Sequence, residues 1–139
     1  MSSVSQKPGN FIPVVRSGDL AFVSGHISER DGAVISGKVG DTMSADEAYD
    51  AAASVADNLL ATLERELGSL ERIARVVKLT GFVNAAPHFE GMSGVINGIS
   101  DRLIERLGER GRHARSAIGV ASLPVGAAVE GELIVEVAP

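Results

Sequence analysis

The sequence predicts an α+β domain in which two helices cover one face of a mixed sheet. Three observations carry that prediction. Short β-rich runs punctuated by glycine and proline open and close the chain. A long amphipathic helix with its own N-terminal cap follows the first group of strands, and a lone β-branched run separates it from a second helical pattern. The resulting order is β-β-(β)-α-β-α-β-β. Helices placed this way cover one face of a sheet, so the opposite face needs another partner, which points to an oligomer.

Each element has a local reason. Phe11–Arg16 and Leu20–Ser24 are apolar runs separated by Ser17-Gly18-Asp19, a hairpin signal. Gly25, Gly32, Gly37 and Gly40 then break the chain into turns, leaving room for a short strand at Ala33–Ile35. Ser44 followed by Glu47 forms a capping box. Behind it Ala48, Ala52, Val55, Ala56, Leu59, Leu60, Leu63 and Leu67 recur at helical spacing until Gly68 ends the helix. Ala74–Val83 is rich in β-branched residues and reads as a strand. A second helix is expected from about Phe89 to Gly108, with Phe89, Met92, Ile96, Ile99, Leu103 and Leu107 as its buried stripe. Gly91, Gly94 and Gly98 weaken its first half by up to about 1 kcal/mol each, which favours a kink or a late start. Ala117–Ala121 and Ala128–Val137, joined across Leu123-Pro124-Val125-Gly126, read as strand, tight turn, strand.

The bulk numbers bound the class. A chain of 139 residues fits one domain over 1–139 with a real core. Its 45% hydrophobic and 22% charged residues are ordinary for a globular protein. No apolar run approaches the length of a bilayer span, and MSSVSQKPGNF lacks the apolar stretch of a secretory signal, so a cytoplasmic location is expected. With no cysteine, thiolate catalysis and cysteine metal sites are excluded. Residues 1–69 hold ten acids and five bases, and residues 70–139 hold eight of each. Neither half has the basic surplus of a nucleic-acid footprint, and 4% aromatics build no obvious stacking platform. His26, His88 and His113 are far apart in sequence, without a metal-binding pattern, and no phosphate loop or nucleophile elbow is present. No metal or other cofactor is expected.

The chemistry concentrates in HARSAIGVASLPVGAAVEGELIVEV. Arg115 opens one strand and Glu130 interrupts the next, fifteen residues later. Two strands joined by a turn can bring a cation and an acid into one site. A guanidinium offers a planar fork of donors that suits a carboxylate; the competing reading is a structural or solvated arginine. Glu130 lies between Val129 and Gly131, where partial burial would raise its pKa toward the range useful for acid/base work. Glu132 and Glu136 share its parity, so an outward-facing edge acid is the alternative. The five arginines from Arg102 to Arg115 interleave with Glu105 and Glu109, as on a salt-bridged helix face.

Ala114-Arg115-Ser116, Leu123-Pro124 and Val129-Glu130, with that spacing, resemble the signature segment of the YjgF/YER057c/UK114 family, also called the Rid or L-PSP family. Gly9-Asn10-Phe11, Val23-Ser24-Gly25, Val76-Val77-Lys78 and Phe82-Val83-Asn84 extend the resemblance over nearly the whole chain, and Gly111-Arg112-His113-Ala114-Arg115 points to a divergent branch. The resemblance implies a chorismate-mutase-like fold and a homotrimer whose three sheets form a central barrel, with pockets at the subunit interfaces. It implies that Arg115 holds the carboxylate of a 2-imino or 2-enamino acid and that Glu130 orients a water. Ser24 matches a pocket serine of the family, and Asn97 lies close to a pocket asparagine, offset by one extra residue before Arg115; a turn hydroxyl and a helix-surface amide are the competing readings. Three positions depart from the family pattern: Phe11 stands where tyrosine is frequent, Ala117 where cysteine is common, and His113 where a proline often precedes the Ala-Arg pair. The pocket is thus expected to be less polar at two positions; His113 is read either as a structural histidine, the commoner role of a lone histidine, or as a group that titrates near neutral pH and assists.

The leading expectation is a cofactor-free deaminase that converts such imines to 2-keto acids and ammonia. A pathway-specific, aminomuconate-type deaminase is a close variant. A non-catalytic trimeric module binding keto acids through Arg115 is the rival from another class. Ribonuclease activity, attached to the family name, is disfavoured by the acidic charge and sparse aromatics. Neither nucleic acid nor membrane is an expected partner.

Overall fold

A computed structural model describes Val4 and residues 7–139. Met1–Ser3, Ser5 and Gln6, part of the stretch read above for a secretory signal, lie outside the described residues. The elements are β1 (Val14–Ser17), β2 (Leu20–Ile27), β3 (Glu29–Arg30), β4 (Ala33–Val34), α1 (Ala45–Leu67), β5 (Ile73–Asn84), α2 (Met92–Leu107), β6 (Ala114–Val120) and β7 (Val129–Val137). β3 and β4 form a small hairpin of their own; the other five strands make one sheet in the order β1-β2-β7-β5-β6. β6 runs parallel to β5 and the remaining pairs are antiparallel, so the sheet is mixed.

β1 starts later than the apolar run suggests. Pro13 has no N–H to give to a ladder, and regular pairing begins after it, with Val14 opposite Val23. β2 runs further than expected, to Ile27, by passing through a bulge: between the Val23–Leu133 and His26–Gly131 pairs, Ser24 and Gly25 face the single residue Glu132. In α1 the Ser44 hydroxyl accepts from the Glu47 amide at 3.1 Å, and the Glu47 carboxylate accepts from the Ser44 amide at 3.0 Å. Gly68 closes the helix in the left-handed region at φ 92°. α2 starts at Met92 rather than Phe89. Gly91, at its N-cap, has no side chain to satisfy the first amides, and Phe89 stays partly buried in the preceding connection.

The largest departure concerns the C-terminal pair. β6 and β7 are not hairpin partners: both flank β5, β6 in parallel and β7 antiparallel. The Leu123–Gly126 stretch crosses the end of β5 as a short 3-10 turn at Pro124–Gly126 instead of reversing the chain onto a neighbour. β7 thereby becomes the central strand, and its alternation suits that place. Val129, Gly131, Leu133, Val135 and Val137 are buried beneath the helices, while Glu130, Glu132, Ile134 and Glu136 face the other way.

The core lies between the sheet and the two helices. Val55, Leu59, Leu60 and Leu63 of α1 meet Val76, Leu79 and Leu133 of the sheet and Ile96, Ile99 and Leu103 of α2, all essentially without solvent exposure. Each such side chain contributes about 1.5–3 kcal/mol relative to an exposed one. Gly98 explains one of the glycines that seemed to weaken α2. A Cβ there would overlap the Tyr49 carbonyl of α1, so the glycine sets how closely the helices cross. The opposite face of the sheet has no covering layer among the described residues, and it exposes Val15, Phe22 and Ile118.

Candidate functional site

Arg115 lies on the edge strand β6, in register with Leu79 of β5, which is itself opposite Leu133 of β7. That row faces the helices, so the half-buried arginine extends toward α2. There Ser93, Asn97 and Ser100, spaced at i, i+4 and i+7, form one polar stripe. Nη1 donates to Asn97 Oδ1 at 2.8 Å and to Ser100 Oγ at 3.1 Å. Nη2 donates to the Ser93 carbonyl at 3.2 Å and to Ser93 Oγ at 2.8 Å. All four acceptors are neutral. Among the described residues Arg115 makes no salt bridge, and its Nε–H has no hydrogen-bond partner.

His113 precedes β6 and joins the same cluster. Its Nε2 is 2.9 Å from Ser100 Oγ and its Nδ1 is 2.6 Å from the Gly111 carbonyl oxygen. Burial pushes its pKa below the ordinary 6.5; the Gly111 carbonyl opposes this, and the charge of Arg115 lowers it further. Ala117 follows Arg115 on the helix-facing row and packs against the core. Next on that row is Gly119, part of an apolar groove of about 400 Å³ bounded by Ala85, Pro87, Phe89 and Met92. Ser93, which receives Nη2, is the residue after Met92.

Glu130 lies elsewhere. It belongs to β7, opposite Ile27 on one side and Phe82 on the other, and it points to the open face of the sheet. Its carboxylate rests against the β2 bulge, where a Cβ on Gly25 would overlap it. Half-burial raises its pKa above the ordinary 4.5, the charge of Glu132 adds to the rise, and His26 opposes it. Beside the bulge, Ser24 Oγ donates to the Ile12 carbonyl at 2.7 Å, tying the N-terminal segment to β2. Phe11, 68% exposed, borders a groove of about 300 Å³ together with Ser24, Gly25, His26 and Thr62.

The sequence-predicted residues therefore fall into two groups. Arg115, Asn97, His113 and Ala117 meet along β6 and α2; Ser24, Phe11 and Glu130 lie around the β2 bulge. Within one chain β5 separates Arg115 from Glu130, and they occupy opposite faces of the sheet. The expectation that a turn would bring them together fails for that reason. Sequence reading missed Ser93, Ser100 and His26. The serine stripe is visible as an i, i+4, i+7 pattern, but nothing in the sequence says that this side of α2 meets β6. His26 pairs with Thr62 of α1 at 2.7 Å, a contact between residues 36 apart in sequence.

Among the described residues no group of three or more metal-ligating side chains converges, and no helix is long and apolar enough to cross a membrane. Comparison with known proteins places this arrangement. The chain is 43% identical to Protein TCP17 of Trypanosoma cruzi over 129 residues, 91% of this chain and 81% of that protein. It is similar to the crystal structure of Atu1372 from Agrobacterium tumefaciens, a protein of unknown function, at 43% identity and a TM-score of 0.91, covering 94% of this chain and 85% of that one. A Shewanella oneidensis MR-1 structure matches at 27% identity and a TM-score of 0.90, covering 97% and 90%. Residues 4–137 match the Endoribonuclease L-PSP family, and the chain belongs to it.

Proposed function

We propose that the protein hydrolyses small 2-imino or 2-enamino acids to 2-keto acids and ammonia, at sites completed between subunits of a homotrimer. The observation that carries this reading is Arg115: a half-buried cation met only by neutral oxygens, with Nε–H unused. A carboxylate taking Nε–H and one Nη2–H would satisfy the planar fork and displace one Ser93 contact. The groove beyond Met92 and Gly119 would then receive the substrate's side chain, and its apolar walls favour uncharged ones.

Glu130 supplies the base. Its raised pKa makes the carboxylate a better proton acceptor, provided it is ionised. Water oxygen bonds to the iminium carbon as one water proton passes to Glu130, giving a carbinolamine. Glu130 returns that proton to nitrogen; the C–N bond breaks as the hydroxyl oxygen becomes the carbonyl, and the hydroxyl proton leaves through Glu130. A 2-keto acid and ammonium result. Such imines hydrolyse unaided, so orientation and one base are sufficient assistance.

The split geometry supports the inter-subunit arrangement. One chain holds the anchor on one face of its sheet and the base on the other, so a shared site takes Arg115 from one copy and Glu130 from another. The uncovered sheet face supports an assembly as well.

The test is keto-acid release from imines made in situ by an amino-acid oxidase. The wild type should accelerate release, and Arg115→Ala should remove the acceleration. Keto-acid binding that survives Glu130→Gln, with no turnover by the wild type on any imine, would instead make the protein a metabolite-binding module.

A further inference from the structure

Behind Arg115 runs a polar chain that the proposed reaction does not use: Arg115 Nη1, Ser100 Oγ, His113 Nε2, His113 Nδ1 and the Gly111 carbonyl. The chemistry of each atom fixes its direction. A carbonyl oxygen only accepts, so at 2.6 Å Nδ1 must carry a proton. In the neutral ring Nε2 is then a lone pair, and it accepts from the Ser100 hydroxyl at 2.9 Å. That hydroxyl has a single proton. With it committed to His113, the oxygen's lone pairs are left for Arg115 Nη1 at 3.1 Å. Asn97 Oδ1 takes the second Nη1 proton. Both Nη1 protons are thus held inside the protein, while the Nε–Nη2 edge keeps one unmet donor and the two Ser93 contacts.

We infer that His113 is a positioning residue: acting through Ser100, it holds the Nη1 edge of Arg115 against α2 and so presents the Nε–Nη2 edge to a ligand carboxylate. This rests on the reading of Arg115 as a carboxylate anchor. A protonated His113 would reverse the contact, because Nε2 would donate to Ser100 and the hydroxyl would face two donors. The new imidazolium would also face the guanidinium. Other nearby charges are engaged elsewhere. Arg112 pairs with Glu109, Arg110 donates to the Leu70 and Ile73 carbonyls, Arg102 pairs with Asp57, and Asp101 accepts from Tyr49. Lys78 of β5 pairs in register with Ala114, whose parity is that of the open face. Arg115 is the charge that acts on His113.

The test reads Arg115 directly by nitrogen-15 NMR of its guanidinium in the intact protein, across the titration of the His113 ring. In the wild type the Arg115 Nε resonance should move with the His113 midpoint. In Ser100→Ala His113 should still titrate, but Arg115 should no longer follow. Pyruvate, added as the probe, should bind about tenfold more weakly to Ser100→Ala and to His113→Ala, the scale of a lost hydrogen bond to a charged group. His113→Gln, which keeps an acceptor without a titrating ring, should retain affinity and lose its pH dependence. An Arg115 resonance indifferent to His113 in the wild type would overturn the inference. If Arg115 follows His113 while pyruvate binds none of the proteins, the positioning stands and the carboxylate reading fails.

Discussion

Arg115 gives its four observed hydrogen bonds to neutral oxygens, whereas Arg102 and Arg106 on the outer side of α2 share Asp57 as a counter-ion. That contrast supports the proposed role of Arg115 as a carboxylate anchor, while Arg102 and Arg106 tie α2 to α1. Glu130 makes the complementary case for a residue kept at a cost. Burial penalises its charged form, so the folded state holds a proton more tightly than the unfolded chain does. As pH rises from the ordinary 4.5 through the raised folded pKa, the folded state loses stability relative to the unfolded one. Glu130→Gln should therefore raise Tm at neutral pH while lowering imine turnover about 100-fold or more, the range for loss of a general base. Thermal melts and the oxidase-coupled assay on the same preparation check both directions; a lower Tm would contradict the burial account. In the wild type, kcat/KM should fall on the acid side with a midpoint above 4.5. A midpoint at or below that value would remove Glu130 as the base.

At the scale of elements, α1 was legible almost residue by residue, because Ser44, Glu47 and Gly68 act locally and its apolar stripe is long. The β6–β7 relationship was not. Leu123-Pro124-Val125-Gly126 carries a genuine turn signal, but a turn fixes only the local path, and β5, some 40 residues earlier, takes the place between the two strands. The same non-local fact explains why the fifteen-residue spacing draws attention to Arg115 and Glu130 while the turn between them does not bring them together. Asn97 and Ser100 meet Arg115 because α2 packs over β6, which spacing within either element does not encode. Gly98 shows the reverse case, a residue counted against its helix that the packing requires. Gly98→Leu should destabilise by about 1–3 kcal/mol, the usual cost of overpacking, measured by denaturant titration. An unchanged midpoint would mean that α1 and α2 are free to separate.

For the whole molecule, the helices leave one sheet face uncovered, and Val15, Phe22 and Ile118 are 48, 41 and 44% exposed there. The two halves of the proposed site also lie on opposite faces of one chain, so assembly and activity become one question. The most direct measurement mixes subunits. Arg115→Ala and Glu130→Gln chains, each inactive alone, are unfolded, combined in equal amounts and refolded together. If each site takes Arg115 from one copy and Glu130 from the next, random assembly in a ring rebuilds about a quarter of the sites, and imine hydrolysis should return to about a quarter of the wild-type rate. Activity no greater than that of the two variants refolded separately, in mixed assemblies verified by mass, would contradict the shared site.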